Sequence, residues 1–191
     1  MTSVVPRLDI FMPIHHGLRR SLFETATLLG STDFASPAES EAGEQLAAAC
    51  LELLHEHADH EDQFVLPEIE RFSPDLAAAL ADEHVELERA GDAVESLWPR
   101  LRTFDDLGRA ALGGEIGRRF RMVVASQLLH MDREEREVNT LLWARLSDPE
   151  IAALNDRIIT SIGPARMKIW DALVLPSLSR PLRAAIGQRR L

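Results

Sequence analysis

The sequence predicts an all-α protein, an up-down-up-down four-helix bundle with additional short C-terminal helices. Three observations carry this expectation. Apolar residues recur with helical period along almost every segment, and nothing alternates with period two for long enough to form a strand. Tyrosine is absent and aromatics make up only 5% of the 191 residues. The core must then come from Leu, Ala, Ile and Val, which favours helices packed on helices.

The first helix is expected from about Pro13 to about Gly30, with Leu18, Leu22, Ala26 and Leu29 as its apolar stripe. "STDFASPAESE" reads as a loop, and Ser36-Pro37 opens the second helix with Glu39 in its first turn. Leu46, Ala49, Leu53 and Leu54 share a face of that helix. It should run to about Leu66, where Pro67 kinks or ends it for want of an N–H. Ser73-Pro74 starts the third helix, expected to reach about Trp98 before Pro99. Gly108, Gly113, Gly114 and Gly117 predict a frayed entry to the fourth, which becomes strong from about Glu115 with Phe120, Val123, Val124, Leu128 and Met131 on one side. Shorter helices are expected near 148–162, 164–174 and 180–188. Residues 1–147 then form the bundle, and residues 148–191 an extension that caps it or mediates oligomerisation, a homodimer in the simplest case.

The formal charge of −10 is unevenly spread: residues 157–191 carry seven basic residues against Asp171, and residues 1–156 carry 14 basic against 30 acidic. An acidic body is a poor nucleic-acid binder, so no nucleic-acid partner is expected. The basic tail is expected to pack on that body or on a partner subunit, with a nucleic-acid or membrane arm as the alternative. The N-terminal stretch lacks a basic region followed by an apolar one, and no run of about 18 apolar residues suggests a membrane span. A single Cys50 rules out an internal disulfide. A cytoplasmic location is the default.

The functional signal lies in the histidines. "HEHADHEDQFVLPEIE" at 55–70 holds His55, His57 and His60; the others are His15, His16, His84 and His130. Each predicted long helix supplies at least one. His57, His84 and His130 each have a glutamate four residues on, at Glu61, Glu88 and Glu134, and an i, i+4 pair faces one way from a helix. One such pair means little in a glutamate-rich chain. Contributions from all four helices point to a metal site inside the bundle. Imidazole with carboxylate suits iron, manganese or zinc, and two metals sharing carboxylates suit iron best. Rival spellings fail. A ferritin-like site wants two ExxH motifs, and only Glu52-x-x-His55 is present, since Gln127 and Ala81 stand three before His130 and His84. HExxH fails because Asp59 replaces its second histidine.

"HHGLR" at 15–19, "HADHEDQFVLP" at 57–67, "DEH" at 82–84 and "HMDREE" at 130–135 together resemble the hemerythrin-like HHE cation-binding proteins. The resemblance spans residues 15 to about 145. It implies a four-helix bundle with a non-haem di-iron centre, two Fe ions, with Zn or Mn as substitutes. The ligands it implies are His15, His57, Glu61, His84, His130 and Glu134, with Glu135 as an alternative carboxylate and Glu61 and Glu134 bridging. It implies a protein that binds or senses dioxygen, nitric oxide or redox and iron state. A di-iron oxidase-type enzyme and an interaction scaffold with a structural or absent metal are the alternatives. One departure stands on helix three. Oxygen-carrying hemerythrins have a second histidine one turn after the first, and here that position is Glu88. A more anionic set favours the ferric state, so stable reversible oxygen carriage is not expected. His16, His55 and His60 are expected to face away or sit at the rim.

Overall fold

Helix follows helix through α1 (Met12–Ser31), α2 (Pro37–His60), α3 (Leu66–Glu70), α4 (Pro74–Glu95), α5 (Trp98–Leu101), α6 (Asp106–Arg133), α7 (Asn139–Arg145), α8 (Asp148–Ser161), α9 (Pro164–Ser177) and α10 (Arg180–Arg189). The computed structural model describes the backbone of residues 7–189 and the side chains of residues 7–184, and no strand occurs among them. The basic-tail residues Arg189 and Arg190 and the first residues of the leader reading lie outside the described side chains. Among the described residues, no helix is long and apolar enough to cross a membrane.

Local chemistry sets the helix starts. The Ser36 hydroxyl accepts from the Glu39 N–H ahead of Pro37, and Asp105 accepts from the Gly108 N–H at 2.9 Å. Ser147 and Glu150 form a reciprocal capping box at the start of α8. Before α1, the Asp9 carboxylate takes the N–H groups of Phe11 and Met12, both at 2.9 Å.

The long helices α1, α2, α4 and α6 each touch two of the others, in the order α1–α2–α4–α6–α1. The apolar faces of these helices and of the segments adjoining them form two separate clusters. One contains Leu18, Leu22, Leu54, Val94, Phe120 and Met131; the other contains Phe11, Val65, Ile69, Leu80, Val138 and Leu142. Each fully buried Leu, Ile or Phe here contributes about 1.5–3 kcal/mol of transfer free energy. Along the chain His15 falls between Phe11 and Leu18, Glu61 between Leu54 and Val65, and His84 between Leu80 and Val94. The polar residues thus form a layer between two apolar ends.

Several sequence expectations need correction. α6 runs unbroken from Asp106, with no frayed entry ahead of Glu115, despite its glycines. Gly113 explains why: a Cβ there would lie 2.0 Å from Cγ of Phe34, so the missing side chain admits a buried ring against the helix. Packing overrides the weak propensity. Pro67 does not end its helix. A single π-helical turn, Glu61–Val65, precedes it, and the chain stays helical to Glu70. α4 stops at Glu95, short of Trp98. In α2, Ala49 is exposed and Leu46 only half-buried; the buried positions are Ser40, Gly43, Ala47, Cys50, Leu51, Leu53 and Leu54.

Of the C-terminal helices, α8 and α9 lie against this core. α9 presses on α1 at Gly17, where a Cβ would stand 3.1 Å from Leu173 and Val174. Arg166 holds Glu56 at 2.7 Å and Glu52 at 3.6 Å, so at this point the basic tail meets the acidic body.

Candidate metal centre

α1 supplies His15, α2 supplies His57, and α4 supplies His84, while Glu61 opens the first π turn. α6 supplies His130, and Glu134 opens a second π turn, Glu134–Val138. The i, i+4 spacing works as its geometry demands: His57 Nε2 lies 3.2 Å from Glu61 Oε1, and His130 Nε2 lies 3.3 Å from Glu134 Oε1. Across helices, His15 Nε2 approaches His57 Nε2 at 3.1 Å, and His84 Nε2 approaches His130 Nε2 at 3.0 Å. Glu134 Oε2 reaches His15 at 3.4 Å, and Glu61 Oε2 reaches His84 at 3.5 Å. Two groups result, His15–His57–Glu61–Glu134 and Glu61–His84–His130–Glu134, each with ligand atoms within 4.8 Å of one another. Both carboxylates belong to both groups.

A second layer orients the imidazoles. Nδ1 of His15 faces Glu135 at 2.9 Å, Nδ1 of His84 faces Asp62 at 2.6 Å, and Nδ1 of His130 faces Glu83 at 2.7 Å. An ionised carboxylate only accepts, so each Nδ1 must carry the proton. In the neutral imidazole, Nε2 then presents a lone pair to the centre of the layer. Arg19 holds Glu135 at 2.7 Å, and Arg133 holds Glu83. Such carboxylate–histidine pairs fix the tautomer and raise the basicity of metal-binding imidazoles.

The electrostatics follow from crowding. Burial raises the Glu61 carboxyl well above its usual range, reinforced by the charge of Glu134. Burial also acts to raise Glu134, but its contacts with His130 and His15 hold it well below the usual range. Burial opposes the imidazolium at His15, yet Glu134 and Glu135 outweigh it and lift the group to about 9. His57 is pushed well below its ordinary value by burial and by the charge of His15.

No family model, curated protein or solved structure matches the chain. The donor set must speak for itself. Both oxygens of Glu61 and Oε2 of Glu134 are buried with no hydrogen-bond donor. The inward Nε2 atoms of His84 and His130 lie 3.0 Å apart. Unpaired buried acceptors are costly, and cations satisfy them, so four imidazoles and two shared carboxylates fit two bound metal ions. Nitrogen with carboxylate oxygen suits iron, manganese or zinc and argues against calcium or magnesium.

The remaining sequence candidates lie elsewhere. His16 is exposed. His55 is exposed and 3.7 Å from Glu88, whose carboxylate is itself about half exposed, so Glu88 belongs to neither group. His60 lines a neighbouring cavity, and Glu135 supports His15 from behind.

Sequence reading missed the roles of Asp62 and Glu83, and both π turns. A signal existed: Asp62, Glu83 and Glu135 each adjoin a ligand position. Adjacent residues on a helix diverge by about 100°, so each reaches sideways to a histidine on another helix. The π turns share a place, each beginning at a shared carboxylate, with Leu66 and Asn139 donating to the Glu61 and Glu134 carbonyls five residues back. Only the first precedes a proline, so proline is not their common cause. π turns concentrate at functional sites.

Two cavities adjoin the layer. One, of about 370 Å³ between α2, α4 and α6, exposes His57, Glu61, His84 and His130 beyond a rim of Glu52, Glu88, Asp92 and Glu95. The other, about 410 Å³, is walled mainly by apolar groups of α1, α8 and α9, including Ile14, Ile158 and Met167, and also reaches His57 and Glu61.

Proposed function

We propose that the chain is a hemerythrin-like four-helix bundle whose polar layer holds two iron ions and binds or senses a small diatomic ligand, dioxygen or nitric oxide. The observation that carries this reading is the sharing of Glu61 and Glu134 between two histidine pairs, with three of their four oxygens buried and lacking a donor. When bound, the iron pair would supply a redox-active centre with a coordination position for the ligand. The protein's own part is to hold. His15 and His57 would hold one ion, His84 and His130 the other, and Glu61 and Glu134 are placed to serve both. Asp62, Glu83 and Glu135 fix the rings, and the two apolar clusters limit water at either end of the layer.

An anaerobic ferrous titration tests the reading. Two equivalents of iron per chain, followed by a change in the optical spectrum on admission of air or nitric oxide, are expected. Uptake of no iron, or retention of full uptake after Glu61→Ala and Glu134→Ala together, would refute it.

The oxidase-type alternative has one observation in its favour: the largely apolar cavity of about 410 Å³ against His57 and Glu61 has room for a small organic molecule. An oxidase would consume a reductant with oxygen over many turnovers, whereas a binding or sensing protein would react once per loaded chain.

A further inference from the structure

One side chain in the cavity beside the polar layer is unexplained by metal holding. Gln127 stands on α6 one turn before His130, and it is more than nine-tenths buried. It lines the cavity of about 370 Å³ that also exposes His57, Glu61, His84 and His130. Its carboxamide has no hydrogen-bond partner among the described residues, and neither amide atom is sealed off from solvent. The rest of that inner wall is apolar, with Leu51, Leu54, Leu87 and Val123.

A carboxamide offers two N–H donors and a carbonyl acceptor, and here they make no hydrogen bond to the protein and stay open to the cavity. A leucine of similar size would suit this wall better if packing were the only demand. Position 127 is also where an ExxH spelling would put a carboxylate ligand for the same metal. An amide there is neutral and a poor metal donor, but it keeps N–H groups that a carboxylate lacks.

Resting on the metal-centre reading, we propose that Gln127 is the ligand-contacting residue of this site. Its amide N–H donates to a small diatomic molecule held in the cavity against the His84–His130 side of the centre. The ligand class is one that is neutral when free and gains negative charge on binding. The four carboxylates at the rim disfavour entry of free anions. A preformed donor then favours the charge once it develops.

The test uses the full chain loaded with iron, nitric oxide as the probe, and the variants Gln127→Leu and Gln127→Asn. Iron content per chain is measured first, then nitric oxide release and the N–O stretching frequency, then the melting temperature of the metal-free protein. Gln127→Leu should keep its iron, release nitric oxide roughly two- to tenfold faster, in line with one lost hydrogen bond, and shift the N–O stretch. Gln127→Asn should recover part of the frequency shift. The metal-free leucine variant should melt no lower than the parent, because no hydrogen bond to the described residues is lost. A parent chain that takes up no iron overturns this inference together with the metal-centre reading. A parent that loads iron, beside a leucine variant with unchanged release and frequency, overturns the role of Gln127 alone. A leucine variant that melts lower and releases nitric oxide unchanged assigns Gln127 to packing and overturns it as well.

Discussion

Glu61→Gln separates a metal ligand from a structural polar residue, because the two roles predict opposite results. In the metal-free protein Glu61 is buried, lacks donors and has its pKa raised well above the usual range by burial and by Glu134. A raised carboxyl weakens folding as pH climbs above its unfolded value near 4.5, since the folded form then must hold a proton or bury a charge. Glutamine copies the protonated acid in shape and has no charge to bury. The metal-free variant should therefore be at least as stable as the parent at pH 7, with the difference vanishing below about pH 4.5. With metal the order reverses. At free metal a thousandfold above Kd, binding stabilises the parent by about 4.1 kcal/mol. For a chain of this size that is a rise of about 8–16 °C in Tm. Glu61 belongs to both ligand groups, so its replacement should remove most of that rise. Differential scanning fluorimetry of both proteins, chelated and iron-loaded under anaerobic conditions, measures all four values. A metal-free variant that melts several degrees lower, with the metal-induced rise intact, would refute the reasoning.

The pH dependence of metal binding follows from His15. Its folded value of about 9 means that a proton must leave before metal binds at pH 7. Apparent affinity, measured by chelator competition, should rise by up to about one log unit per pH unit toward pH 9 and then level off. Without metal the sign is opposite: the stability from protonated His15 is complete below about pH 6.5 and is lost as pH rises through about 9. Glu83→Gln removes the charged acceptor of His130 Nδ1 and should weaken metal binding about 10–100-fold by isothermal titration with little change in fold. Gly113→Ala drives a methyl group into Phe34 and should lower stability by about 1–3 kcal/mol in urea unfolding. Gly114→Ala, with nothing within 4 Å, should raise it by about 0.5–1 kcal/mol. Glu88→His should leave iron stoichiometry, spectrum and autoxidation rate unchanged, because Glu88 faces His55 outside both ligand groups; slowed autoxidation would show that it tunes the centre.

Much of this protein is local and therefore legible in its residues. Helix starts at Ser36-Pro37 and Ser73-Pro74 need only neighbours in the chain, and the one-turn spacing of His57–Glu61 and His130–Glu134 sets a common face without reference to the rest of the fold. What sequence alone could not settle depends on how helices are rotated and how closely they approach. Glu88 obeys the same spacing from His84 that Glu61 obeys from His57, yet its half-exposed carboxylate meets His55 outside both ligand groups. Glu135 stands beside Glu134 and differs from it only by a turn of about 100°, which sends it behind His15 instead of between the histidine pairs. The glycines of α6 read as weakness until Phe34 is seen lying where a Cβ of Gly113 would be. Gln127 reads as one more polar residue until the cavity beside His130 is there for it to line. Spacing along a helix fixes direction relative to that helix, and only packing decides what stands in that direction.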